Sequence, residues 1–408
     1  MSVTSESPGA ALPQPDAVIT RPLILLFGAS VGIIVTNVFA PQTLVGPIGQ
    51  ALGLSPAASG LIATATLLGY AAGLFLLVPL ADLVENRRLI LRMLLVAVLG
   101  AALAALSPTA PALLAALFLL GAACTAIQVM VPIAAAMAAP EHRGRVIGDI
   151  MSGLMVGILL SRPLASGIAD AWGWRAYYAL SAVAMAGLTG VLATRLSPRR
   201  PLAQVGYPAL IASLWHLLRS EPVLRSRALT ASLVMAAFSL FWTAVALRLA
   251  QPPFDLGQSG VALFALVGAG GAAVTPLAGR AGDRGWTRPA TIASHLAVIA
   301  GFGLAAWGGA PGATTPILSL VAMGVSAVVL DIGVTADQTL GRRAVNLLRP
   351  EARGRLNGLF VGLFFLGGAA GSAAAGLAWA AGGWPLVCLI GAGIGLAALV
   401  ADILGRAS

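Results

Sequence analysis

The stretch Pro140-Glu141-His142-Arg143-Gly144-Arg145 returns 210 positions later as Pro350-Glu351-Ala352-Arg353-Gly354-Arg355, and each copy opens a long apolar run. Both runs end in Gly-Trp, at Gly173-Trp174 and Gly383-Trp384, and Gly148 and Gly157 recur as Gly358 and Gly367 at the same offset. An ungapped register of this kind marks an internal repeat, so the chain reads as two halves built to one plan.

Apolar residues make up 59% of the 408 residues and charged residues 9%, with a mean hydropathy of +0.94. So little charge cannot clothe a water-soluble surface, and the composition places the chain in a bilayer. A hydrocarbon core about 30 Å thick takes roughly 20 apolar residues per helix. Twelve such runs lie near 22-48, 57-80, 88-107, 111-138, 146-169, 175-194, 227-250, 258-279, 288-308, 314-340, 355-379 and 384-404, the first bent near Pro41. The expected fold is all-α and integral to the membrane. Residues 1-20 are polar and lack the pattern of a signal peptide, which predicts a disordered cytoplasmic tail. The break at 196-226 separates six spans in 21-195 from six in 227-408. Within it Ile211, Leu214, Trp215 and Leu218 recur at helical spacing, which predicts a short helix on the membrane surface.

All 24 basic residues are arginine. A P-loop and a Schiff base both need a lysine, so ATP-driven transport within the chain, retinal photochemistry and pyridoxal chemistry are excluded, and no cofactor is expected. The net charge of +10 is no nucleic-acid footprint, because the arginines sit in short loops: 21 fall in the tails and loops of one side, leaving Arg162, Arg175 and Arg248. By the positive-inside rule that side is the cytoplasm, with both termini in it, and the arginine layer faces the anionic leaflet of a bacterial inner membrane. Cys124, Cys388, His142, His216 and His295 are scattered without metal-ligand spacing, so no metal site is expected. Loops are too short for a soluble catalytic domain, and the spans hold no Ser/His or paired-carboxylate constellation, which argues against an enzyme. The expected partners are the bilayer, a small-molecule substrate and protons, acting on a monomer.

After the second run the chain reads Pro79-Leu80-Ala81-Asp82-Leu83-Val84-Glu85-Asn86-Arg87-Arg88, and after the eighth Pro276-Leu277-Ala278-Gly279-Arg280-Ala281-Gly282-Asp283-Arg284-Gly285. Together with the Arg-Gly-Arg loops, this resembles the major facilitator superfamily, whose loop signature is Gly-x-Leu-Ala-Asp-Arg-x-Gly-Arg-Arg. Val78, Leu83 and Glu85 depart from that signature, and the chain looks more like the branch of bacterial drug or sugar efflux permeases. The resemblance covers about 22 to 404. It implies two pseudo-symmetric six-helix bundles around a site near the midplane, worked by alternating access. It also implies a cytoplasmic gate, with Asp82 docked at the start of the eleventh helix near Gly354 and Asp283 at the start of the fifth. Helix N-termini attract carboxylates there, among Arg87, Arg88, Arg143, Arg145, Arg280, Arg284, Arg353 and Arg355. Gly153, Gly157, Ser161 and Ala165 in span five and Gly367, Gly371 and Ala375 in span eleven allow close helix packing. In family terms the span-five run resembles an antiporter motif.

Charges inside apolar runs are the sharpest functional signals, because an ionisable group in lipid is expensive unless it faces a cavity or partner. Arg162, roughly 24 Å along its helix, is expected in the outer half as an anchor for an anionic substrate or as half of an ion pair. Asp331 is expected in the inner half as the proton carrier, too far in depth for a direct bridge to Arg162. Arg248 is expected to snorkel to the outer interface. Asn37, Gln42, Gln128, Trp242 and Gln338, on the first, fourth, seventh and tenth spans, suit substrate contact and interhelical hydrogen bonding alike. The halves stop matching at the charges, for Arg162 aligns with Ser372 and Asp331 with Gly121. The expectation is secondary active transport of a small organic solute, in the form of proton-coupled efflux. The alternatives are a facilitator or importer, or a non-transporting sensor or scaffold.

Overall fold

Glycine decides where the repeated runs turn. Gly173, at φ 81°, separates the helices Arg143–Trp172 and Trp174–Arg195, and Gly383, at φ 61°, breaks the long helix Arg353–Leu404 at the matching point. A side chain disfavours that left-handed backbone, so the glycines of the two Gly-Trp pairs are conformational requirements. The computed structural model describes residues 19–405 apart from 201–205, 273, 311, 313–314 and 350–351. Residues 1–18 of the polar tail and the Pro350-Glu351 pair therefore lie outside the described residues.

The first half runs α1 (Arg21–Phe39), α2 (Pro41–Ala51), α3 (Pro56–Ser59), α4 (Leu61–Leu76), a 3-10 turn (Val78–Asp82), α5 (Asn86–Leu106), α6 (Ala110–Cys124), α7 (Ala126–Ala136), α8 (Arg143–Trp172) and α9 (Trp174–Arg195). After α10 (Tyr207–Ser220) come α11 (Pro222–Leu249), α12 (Gln258–Val267), α13 (Ala269–Ala272), α14 (Thr275–Asp283), α15 (Thr287–Gly308), α16 (Pro316–Asn346) and α17 (Arg353–Leu404). Ten helical segments among the described residues are long and apolar enough to cross a membrane. The fold is an all-α, multi-pass membrane fold. The bend expected near Pro41 is the α1–α2 junction. A further break at Thr125 and the division of Gln258–Asp283 into three short helices lie within runs read as continuous. The surface helix of the linker is α10, which rests Leu210, Leu214 and Leu217 on the molecule and leaves Trp215 exposed.

Small residues set the helix crossings. Gly153 and Gly157 of α8 lie against the backbone of Gly28 and Gly32 on α1, and Gly367 and Gly371 of α17 lie against Ser232 and Ala236 on α11. A Cβ on Gly32 would stand 2.8 Å from the Gly153 carbonyl oxygen. Lipid provides no hydrophobic drive between helices, so this close approach is what the small residues contribute. The outward faces carry Leu99, Leu103, Val183, Ile317 and Leu389, all exposed. In water those faces would cost about 25 cal/mol per Å² of apolar surface, and acyl chains remove that cost.

The two halves meet along α4 with α17 and along α8 with α12. At the end away from the arginines the seam is tight: Gly60 abuts Gly376, and the Thr64 hydroxyl donates to the Ala369 carbonyl at 3.1 Å. At the arginine-rich end α14 packs on α15 and α16. A cavity of about 890 Å³ opens there along α1 and α8, beside Gly28, Arg145, Asp149 and Gly153.

Candidate translocation site

Four helices of the central seam converge on one aromatic side chain. Trp242, on α11, donates its indole N–H to Asp331 Oδ1 on α16 at 3.0 Å, and the Arg162 guanidinium of α8 lies 4.3 Å from a Trp242 ring centroid. Arg162 also donates Nε and Nη2 to Gln42 Oε1 on α2, at 3.1 and 2.9 Å. Phe39 and Phe238 complete the enclosure, their centroids 5.5 and 5.2 Å from the guanidinium carbon. All four polar groups are buried: Gln42 is 0%, Trp242 1%, Arg162 4% and Asp331 6% exposed. A desolvated cation over aromatic faces gains roughly 2 kcal/mol, which offsets part of the cost of holding Arg162 inside.

Helix α16 runs to Asn346, beyond the anticipated end at 340, so Asp331 stands at the middle of the helix. Arg162 and Asp331 still form no direct ion pair, because the indole stands between them as a shared partner. Glycine makes the arrangement possible from behind. A Cβ on Gly268 would stand 2.7 Å from Trp242 Cζ2 and 2.9 Å from Asp331 Oδ2, and Gly271 abuts Asp331 itself.

Asn37 is buried, and its Oδ1 accepts from the Ser181 hydroxyl at 2.6 Å. Gln128 forms a second polar layer, donating to the Tyr70 hydroxyl at 3.2 Å while the Tyr70 ring lies tilted against Phe365, centroids 4.5 Å apart. Gln338 is partly buried on α16, one turn before Arg342, whose Nε is buried without a partner among the described residues. The run lengths place Arg342 in a loop of the arginine-rich side, and the longer α16 corrects that. Arg248 is 3% exposed and does not snorkel: it donates to the carbonyls of Gly309 at 2.8 Å and Pro252 at 2.7 Å, closing the far end of α11.

Asp283 pairs with Arg343 of its own half at 2.9 Å. Asp82 lies in the field of Arg355, in the first turn of α17 in the other half, without a direct ion pair among the described residues. The arginines bond locally. Arg87 donates to the Ala193 carbonyl, Arg143 to Ala138 at 3.3 Å, Arg353 to Asn346 at 3.1 Å and Arg355 to the Ser213 hydroxyl of α10 at 3.0 Å. Arg88 pairs with Glu85 at 3.0 Å, Arg284 lies over Trp286, and Arg145 lines the cavity. For Arg280 the structure gives no partner that bears on a gate.

Residue reading missed a buried pair between helices α15 and α16, where His295 Nε2 and Asp337 Oδ1 are 3.0 Å apart with both side chains at most 2% exposed. It also missed Asp402, which holds Arg227 at 3.0 Å and Thr291 at 3.3 Å. Both carboxylates stood inside apolar runs, the same signal that singled out Asp331. No group of His, Cys, Asp and Glu among the described residues could hold a metal.

The family model described as Major Facilitator Superfamily matches residues 23–342. The chain belongs to the Major Facilitator Superfamily. Transporter YgaY of Escherichia coli O157:H7 is 36% identical over 387 residues, covering 95% of this chain and 96% of that one. The chloramphenicol resistance protein of Streptomyces lividans is 29% identical over 289 residues, covering 70% and 71%. The solved nucleoside transporter NupG shares the fold at a TM-score of 0.72 and 15% identity, over 94% of this chain and 99% of that one. As a superfamily member the chain is a multi-pass membrane transporter, not an enzyme, and it moves a small solute by alternating access.

Proposed function

We propose that the chain is a proton-coupled carrier of a small organic solute, with Asp331 as the group that takes and releases the proton. The observation that carries this is the setting of Asp331. Its carboxyl is buried at the middle of α16, receives one indole N–H, and lies across the Trp242 ring from Arg162. A carboxylate without a direct counter-ion in a membrane interior is expensive, and a proton removes that cost. The solute-contact set is Asn37, Gln42, Gln128, Arg162, Trp242 and Gln338. Asp82, Asp283 and the loop arginines would close the arginine-rich end when the cavity faces the other way.

The proposed architecture is twelve spans in two six-helix bundles, 21-195 and 227-408, joined by the linker 196-226. It is supported by the break of α17 at Gly383 and by α12 to α14 reading as one interrupted span. The proposed setting is a bacterial inner membrane, as a monomer with both termini cytoplasmic. Facilitated or inward passage is the other form, and a solved transporter of this fold is named for nucleosides. Efflux, and with it a drug-permease branch, draws support from the relative named for chloramphenicol resistance.

The test is flux in proteoliposomes with a pH-reporting dye inside, across a panel of metabolites and drugs. The expected result is solute-dependent proton movement that Asp331→Asn removes, its sign giving the direction. Identical proton movement in wild type and variant would sink the assignment of Asp331, and no solute movement at all would favour a sensor or scaffold.

A further inference from the structure

Trp242 occupies the site the way a ligand would. One ring face lies on Arg162 and the indole N–H reaches Asp331. Phe39 and Phe238 wall the same space, 6.4 Å apart between centroids. Beside it, Gln42 Nε2 is fully buried and finds no acceptor among the described residues, although Gln42 Oε1 is held by Arg162. Orphaned donors of this kind are rare in folded proteins. A cation, an unused amide donor and an aromatic wall in one buried enclosure are complementary to a flat ring that carries an acceptor group.

We propose that the site takes a planar aromatic organic anion, whose ring replaces the Trp242 indole on Arg162 and whose carboxylate accepts from Arg162 and Gln42 Nε2. The inference rests on the carrier reading above and specifies its solute. It also sets the sign of coupling. Displacing Trp242 removes the indole N–H that Asp331 accepts and brings a second negative charge beside it. Both changes favour the protonated carboxyl, so anion and proton bind together. The other groups facing Asp331 leave this intact: α8 contributes Arg162, α12 and α13 contribute the glycines Gly268 and Gly271, and on α16 itself Asp337 is already engaged by His295 of α15.

The experiment is calorimetric titration of the full chain in lipid nanodiscs with three probes: indole-3-acetate, cyclohexylacetate and tryptamine. Indole-3-acetate is expected to bind about tenfold more tightly than either other probe, as one desolvated ring–guanidinium contact implies. Its binding should take up protons, read from the dependence of heat on buffer. Trp242→Phe, which keeps the packing and loses the N–H, is expected to bind indole-3-acetate more tightly and take up fewer protons, while Arg162→Lys and Gln42→Ala bind it more weakly. Equal affinity for the three probes, or no binding of any, overturns the inference. If no probe binds while Asp331-dependent flux of another solute persists, the solute class falls and the carrier reading stands. If indole-3-acetate binds with proton uptake but nothing crosses the liposome, the site stands and transport falls.

Discussion

Where helices cross at the centre of the molecule, the two halves meet the same packing demand with opposite assignments. In the first half Gly121 of α6 lies against the backbone of Thr66 on α4, and in the second Gly271 of α13 lies against Asp331 of α16, the counterpart of Gly121. Each crossing needs one position without a side chain. In the second half the glycine stands on the facing helix α13, which leaves room on α16 for a carboxylate. The same divergence put Arg162 opposite Ser372, and the charged pair of positions meets around Trp242. Each half therefore contributes one charge to the site, Arg162 from the first and Asp331 from the second.

The comparison breaks most visibly at Gly271. Gly271→Val is expected to destabilise by about 3 kcal/mol through overpacking against Asp331, read as a fall in thermal midpoint of the purified protein. Gly271→Thr with Asp331→Gly, which gives the second half the residues of the first, is expected to recover most of the midpoint that Gly271→Thr alone loses while proton-coupled flux stays absent. Next comes Asp331→Asn, which leaves folding near wild type and flattens the pH dependence of solute flux. Ser181→Ala should cost only about 0.6 kcal/mol, the usual worth of one interhelical hydrogen bond in a membrane, with flux retained. Smallest is Asp283→Asn, since an exposed ion pair contributes less than about 1 kcal/mol; a midpoint within error of wild type is expected.

The twofold plan was legible because its markers are local. Arg-Gly-Arg starts a helix and Gly-Trp turns one, and both the register and the positive φ of Gly173 and Gly383 are carried by single residues. Arg162, Trp242, Gln42 and Asp331 were each identifiable as polar groups in apolar runs. Their convergence was not, because it depends on α16 continuing to Asn346 and on Gly268 admitting the indole. His295 and Asp337 escaped for a related reason: they are 42 positions apart, and only the packing of α15 on α16 makes them a pair. The loop acids show the reverse. Asp82 faces Arg355 at the start of α17, as its loop position suggested, whereas Asp283 has taken Arg343 of its own half.

The absence of lysine makes arginine the sole internal cleavage residue for trypsin. Of the arginines away from the charged end, Arg162 and Arg248 are buried, Arg162 is also followed by Pro163, and Arg175 is held by the Ser107 carbonyl over the Trp174 ring. The chain should therefore be degraded readily in inverted membrane vesicles and survive almost whole in right-side-out spheroplasts, so that a single digestion reports the orientation of every molecule in the preparation.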